Sequence, residues 1–291
     1  MNAVELVVLA AIWGASFLFM RMGSSEFGPV PLIALRVGIA ALVLLPVIFS
    51  ATSRLHVRSH WKPLLVVGLT NSALPFCLFA YSTLYVNAGL DSILNATTPL
   101  WGALIAFVWL KVSLTRDQIL GMVLGLAGVL VLVWDQLGAG QGTQTLAILA
   151  VLLATLSYGF AGHYSRRHLV GLPAPLTAWA SQFFSVLVLL PGALYWWPQH
   201  AVSDSAWWAV IGLGVVCTGL AYVLYFRLIA HTGASYAMSV TFLIPVFGVA
   251  WGALFLHEQV GVQTTAGCLV ILLGTALATG KLQLLQRLRA A

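Results

Sequence analysis

Charge is scarce in this chain. Of its 291 residues, 13 are Lys or Arg and 7 are Asp or Glu, 7% together, where soluble domains carry about 25%. Such a chain cannot solvate the surface of a water-soluble domain, and with 61% hydrophobic residues it reads as an integral membrane protein. The acids are few and badly placed for proton transfer. Glu5, Glu26, Asp91, Asp117, Asp135, Asp204 and Glu258 all fall at the ends of apolar runs or between them, so no carboxylate is expected at the bilayer centre and no dedicated proton pump. Cysteine is nearly absent. Cys77, Cys217 and Cys268 lie inside apolar runs, which argues against a structural disulfide. Catalytic signatures are missing as well: there is no G-x-x-x-x-G-K-[ST] and no G-x-S-x-G, and His257-Glu258 lacks the second His of a zincin. Neither an enzyme, a metal nor a cofactor is expected. The apolar runs do not alternate, which excludes a membrane β-barrel.

Long apolar runs are what the chain has. Ten can be placed, near 3–22, 31–50, 62–84, 91–110, 117–134, 145–165, 175–196, 206–228, 235–256 and 262–280. About 20 helical residues span the ~30 Å hydrocarbon core, so the expected fold is all-α with ten transmembrane helices and no soluble domain. The first run lacks a basic leader and a small-residue cleavage site, and it is counted as a membrane helix. The net charge of +6 is distributed by topology. With the N-terminus inside, the cytoplasmic loops hold Arg54, Arg58, Lys62, Lys111, Arg116, Arg166, Arg167, Arg227, Lys281, Arg287 and Arg289, and the outer side only Arg21 and Arg36. Short-loop Lys and Arg set orientation, which places both termini in the cytoplasm. The basic excess then faces lipid headgroups, not nucleic acid.

The second half repeats the first. Asn95-Ala96-Thr97-Thr98-Pro99-Leu100-Trp101-Gly102 returns 146 positions later as Thr241-Phe242-Leu243-Ile244-Pro245-Val246-Phe247-Gly248. Tyr158-Gly159 answers Trp13-Gly14, Arg166 answers Arg21, Pro173 and Pro175 answer Pro29 and Pro31, and Gly267 and Gly274 answer Gly121 and Gly128. The polar stretch 135–143 reads as a flexible surface linker, dividing the chain into 1–138 and 139–291. Five helices per half is an odd number, so the halves are expected to be inverted relative to one another, an arrangement that permits alternating access. Pro99 and Pro245, near mid-membrane, are expected to open their helices and act as hinges.

These motifs in this order resemble the drug/metabolite transporter superfamily, specifically its EamA-type exporters. The resemblance rests on Trp13-Gly14, Arg36, Pro99 and Pro245, and on Glu258 followed by Gly267 and Gly274; the acid after the fourth helix is replaced by Lys111-Val112. It implies an exporter of small metabolites, often amino acids, in a bacterial inner membrane. It also implies a central cavity lined by helices one, three, four, six, eight and nine, with five and ten peripheral.

The residue pattern fills in that cavity. At membrane depth stand Trp13, Ser16, Tyr81, Asn95, Thr98, Trp101, Tyr158, His163, Thr218, Tyr222, Tyr225, Ser239, Thr241 and Phe242. Aromatic walls with a few hydroxyls suit a small amphipathic solute, with aromatic or other apolar amino acids foremost. With no fixed charge expected at the centre, phosphate esters fit poorly. His163, alone in an apolar run, reads as hydrogen-bonded packing ahead of a relay. Arg36 reads as an anchor that snorkels to the interface. Gly121, Gly125 and Gly128 form a small-residue ridge for close helix approach, within one chain or in a weak homodimer. The competing class is a membrane scaffold or sensor assembled through such ridges, without transport.

Overall fold

A computed structural model describes residues 2–138 and 142–280. Among them the chain is helical, without strands. Its helices are α1 (Asn2–Phe27), α2 (Pro29–Val43), α3 (Ala51–Ser59), α4 (Trp61–Ser82), α5 (Ala88–Leu110), α6 (Arg116–Gly138), α7 (Gly142–His168), α8 (Ala174–Tyr195), α9 (Asp204–Thr232), α10 (Val240–Leu256) and α11 (Val262–Ala278). Seven of them, α1 and α4 to α9, are long and apolar enough to cross a membrane; α2, α10 and α11 are shorter apolar helices. The protein is therefore multi-pass. Helix α3 alone is polar, carrying Arg54, His56 and Arg58, and Ser50 caps it by accepting from the Ser53 amide at 3.0 Å. The apolar run 31–50 does not continue as one helix. It stops at Val43, and a 3-10 turn, Leu45–Ile48, carries Pro46, which cannot extend an α-helix without losing a donor.

Close helix crossings are made at glycine, and they recur between the halves at an offset of 145–146 residues. A Cβ on Gly14 of α1 would stand 2.7 Å from Phe247 Cβ and 2.9 Å from the Gly248 nitrogen of α10; one on Gly159 of α7 would stand 3.0 Å from the Gly102 nitrogen of α5. In α6 and α11, Gly121 lies against Ala278 and Gly267 against Leu132, while Gly125 and Gly274 abut directly. The glycine ridges thus serve packing within the chain. Both α5 and α10 end alike. Lys111 and His257 adopt φ of 57° and 55°, and the next amides, of Val112 and Glu258, donate to Ala106 O and Gly252 O at 3.1 Å. This is the left-handed helix stop that glycine usually provides.

Three expectations about the backbone change. The break in α5 lies at Ala96 and Thr97, so Pro99 sits in the first turn of the second half-helix, Thr98–Leu110, where a missing N–H costs nothing. Pro245 lies inside the unbroken helix α10; the interruption near it is at Met238 and Ser239, after the short turn Ala234–Ala237. The distortions that do match between halves are π-helical: Leu69–Ala73 in α4 and Gly212–Leu220 in α9. The first precedes Pro75, and the Thr70 carbonyl there accepts from Ser157 Oγ at 2.7 Å. Finally, the linker is shorter than 135–143. Helix α6 runs on through Gly138 and α7 begins at Gly142, leaving only 139–141, which lie outside the described residues, as does the basic tail with Lys281, Arg287 and Arg289.

Candidate functional site: a central cavity

A cavity of about 640 Å³ runs into the middle of the helix assembly, within the ~300–1,000 Å³ usual for small-molecule sites. Its wall is aromatic: Trp13, Phe17, Phe76, Phe79, Tyr158, Tyr222, Tyr225 and Phe226. The pairings follow the repeat. Trp13 of α1 leans on Tyr225 of α9 at 5.3 Å between ring centroids, and its counterpart Tyr158 of α7 stacks on Phe79 of α4 at 6.1 Å. At one end the lining residues reach the surface, with Gly162, Arg166, Ala174 and Met238 exposed; towards the other it closes on buried Met20, Phe76 and Phe79.

Nine of the fourteen residues expected in a cavity are brought together here: Trp13, Ser16, Asn95, Thr98, Tyr158, Thr218, Tyr222, Tyr225 and Thr241. Five stand elsewhere. Tyr81 packs edge-on against Tyr85 at 5.1 Å. Trp101 lies in the α5–α7 crossing beside Gly159, its indole nitrogen buried without an acceptor. His163 Nε2 is 2.8 Å from Gly102 O in the same crossing. Ser239 Oγ donates to Tyr236 O at 2.6 Å. Phe242, in the first turn of α10, is half-buried outside the lining. Pro99 and Pro245 do not line the cavity either.

Arg36 overturns two expectations at once. It does not snorkel: only 4% exposed, it forms part of the cavity wall. Nε donates to Thr218 Oγ1 at 3.0 Å, Nη1 to Met20 Sδ at 3.5 Å, and the guanidinium carbon lies 3.8 Å over the Phe76 ring. A fixed charge therefore stands in the cavity after all. The π segments also contribute wall residues that had not been assigned to a site, Asn71 from α4 and Cys217 from α9. The signal for them was the 146-residue offset, which aligns Asn71-Ser72 with Cys217-Thr218.

A model of the EamA-like transporter family matches the chain twice, over residues 2–134 and 145–280. The chain belongs to the EamA-like transporter family. It is a transporter, not an enzyme. Relatives span nearly its whole length. The "Probable amino-acid metabolite efflux pump" of Salmonella typhimurium is 27% identical over 283 residues, covering 92% of this chain and 91% of that one. The "Uncharacterized transporter YoaV" of Bacillus subtilis is 25% identical over 94% of this chain and 95% of its own. The "Probable terminal-alkyne amino-acid exporter" of Streptantibioticus cattleyicolor is 24% identical over 87% and 84%. A solved crystal structure superposes with a TM-score of 0.64 at 17% identity, covering 100% of this chain and 99% of that one, a likeness of fold alone.

In this EamA-like transporter the end away from the cavity mouth is tied by polar contacts. Glu258, after α10, accepts from the Ala88 and Gly89 amides at 2.9 and 3.1 Å, so its carboxylate caps the N-terminus of α5. Arg21 reaches the same carboxylate at 3.5 Å and donates to the carbonyls of Thr83 and Val86 at 2.7 and 2.6 Å. Asp91 stands at the end of its apolar run, in the first turn of α5, and is wholly buried there. Its Oδ1 accepts from Ser82 Oγ at 2.7 Å, and Oδ2 has no partner.

Proposed function

We propose that this protein is a secondary transporter that exports small amphipathic metabolites, amino acids with aromatic or other apolar side chains first, by alternating access through the central cavity. The observation that carries this reading is a cavity open at one end and latched at the other by Arg21, Glu258 and the start of α5. The paired crossings and paired π segments support two inverted five-helix repeats, 1–138 and 139–291, ten transmembrane helices in all. In such a design each half can take the other's shape and open the opposite end. The π segments, each next to the cavity, are the places where helices are already loosened.

Orientation follows from charge. The mouth is formed where α7 ends and α8 begins, near Arg166 and Arg167, on the Lys- and Arg-rich side. That side is cytoplasmic by the short-loop rule, so the cavity faces inward, ready to load cytoplasmic solute, with both termini inside a bacterial inner membrane. Names of relatives such as "Probable amino-acid metabolite efflux pump" point to the same substrate class. The test is uptake of labelled amino acids into vesicles reconstituted with the purified protein. Flux above protein-free vesicles for apolar amino acids supports the reading, and absence of flux across the whole panel refutes it.

A further inference from the structure

We propose that Arg36 is the anion anchor of the cavity and restricts its solutes to those bearing a carboxylate. The proposal rests on the cavity being the transport site, and the repeat itself shows why the charge calls for an explanation. Arg36 of α2 donates to Thr218 in the π segment of α9 at 3.0 Å. In the matching stretch of the other half, Gln182 of α8, within two residues of the position that answers Arg36, donates to Ser72 in the π segment of α4, also at 3.0 Å. The two bonds tie equivalent helices at equivalent places. A neutral amide is sufficient for that work in one half. The positive charge in the other half is therefore not required by the tie between helices.

The charge is also left unmatched. Among the described residues, the ion pairs join Arg21 to Glu258 and Arg227 to Glu5; none reaches Arg36. A guanidinium has five N–H donors, and here two contacts, one of them to a weak sulfur acceptor, use only part of them. The Phe76 face offsets some of the cost of burial. An isolated buried charge remains expensive, and an anion entering the cavity relieves it. The Ser16 hydroxyl adds a second unmet polar group to the same wall. It is 5% exposed and makes no hydrogen bond to nitrogen or oxygen, with the Cys217 thiol beside it.

The chemistry selects a carboxylate. One guanidinium matches a single negative charge through two parallel N–H···O bonds. The other cation in the wall, Arg166, is exposed at the mouth, so the deep cavity offers a phosphate dianion only half of the countercharge it needs. The aromatic wall accepts an apolar body attached to that carboxylate.

The experiment compares the parental protein with Arg36→Gln, which copies Gln182 and can keep the bond to Thr218, and with Arg36→Lys, which keeps the charge without the fork. The probes are labelled phenylalanine, phenylalaninamide and 2-phenylethylamine, carried into proteoliposomes. In parallel, 3-phenylpropionate and its amide are scored by the shift they produce in the melting temperature of the detergent-purified protein. We expect the parental protein to favour the carboxylates by about tenfold or more over their amide or decarboxylated analogues, and Arg36→Gln to erase that preference without lowering the ligand-free melting temperature. Arg36→Lys should fall between. Equal use of phenylalanine and its amide by the parental protein would overturn the proposal, as would an unchanged preference in Arg36→Gln. Carboxylate-specific stabilisation that depends on Arg36 in a protein that carries nothing would refute the transport reading and leave the anchor standing; no stabilisation by any carboxylate and no flux would refute both.

Discussion

Arg21 and Glu258 lie 3.5 Å apart at the closed end of the cavity, and that contact has no acidic equivalent in the other half. Arg166 stands where the repeat places Arg21, but the position matching Glu258 is Val112, preceded by Lys111. Glu258 joins three elements: the end of α1 through Arg21, the start of α5 through the Ala88 and Gly89 amides, and its own helix α10. Glu258 is largely buried, with a side-chain exposure of 8%, so the contact is less screened than a surface pair.

The first prediction concerns this latch. Glu258→Gln keeps one oxygen for the α5 amides but removes the charge that Arg21 faces. The closed end should open more often. In a background with Cys77, Cys217 and Cys268 replaced, a cysteine at Ser24, which accepts from Thr83 in the sealed end, should react faster with a membrane-impermeant thiol reagent added from outside. An unchanged labelling rate would mean that the closure is held by packing alone.

A second prediction separates packing from binding. Gly14→Ala pushes a methyl group into the Gly248 backbone, and overpacking of this kind costs about 1–3 kcal/mol. Gly162→Ala, also near the cavity, meets nothing within 4 Å. Melting temperature should fall for the first and hold for the second. Equal loss in both would show that the α1–α10 crossing is looser than described.

Trp101 and His163 share a crossing rather than the cavity, which yields a third prediction. Trp101→Ala should lower stability, by up to about 3 kcal/mol for a side chain only half-buried, while the KM of the variants that remain folded stays near the parental value. His163→Gln can keep a donor for Gly102 O, so flux and its pH profile should persist. A KM raised severalfold in Trp101→Ala, or a collapsed pH profile in His163→Gln, would return these residues to the transport path.

The prolines give a fourth. Alanine restores a backbone donor, and a helix interior favours Ala over Pro by about 3 kcal/mol. Pro245→Ala, inside α10, should raise stability and slow transport. Pro99→Ala should have a smaller effect on stability, because proline in a first helical turn is already tolerated. Purified variants measured for melting and flux together decide this: parental transport rates in both would show that neither proline governs the motion.

Much of the architecture was legible because the bilayer imposes it. Apolar runs of about the bilayer's span mark helices, and Pro and Gly at an offset of 144–146 mark the repeat. What escaped depends on direction within an apolar run. A π turn needs no particular residue, so Leu69–Ala73 and Gly212–Leu220 read as ordinary helix. Trp101 and Trp13 both fall within apolar runs, and only the packing decides that the first lies in the crossing beside Gly159 and the second lines the cavity. Arg36 was visible as a lone cation, but whether it snorkels depends on what stands opposite, and Thr218 and Phe76 are 182 and 40 positions away in sequence.

The most direct test of the account is trans-stimulation in proteoliposomes. A carrier that alternates its single cavity between two sides returns faster when loaded than when empty. Preloading the vesicles with unlabelled phenylalanine should therefore accelerate entry of labelled phenylalanine severalfold over empty vesicles, and the acceleration should be absent from protein-free controls. Entry that proceeds but ignores the internal solute would contradict alternating access, and entry no faster than in protein-free vesicles, for this and every other amino acid tried, would contradict the function itself.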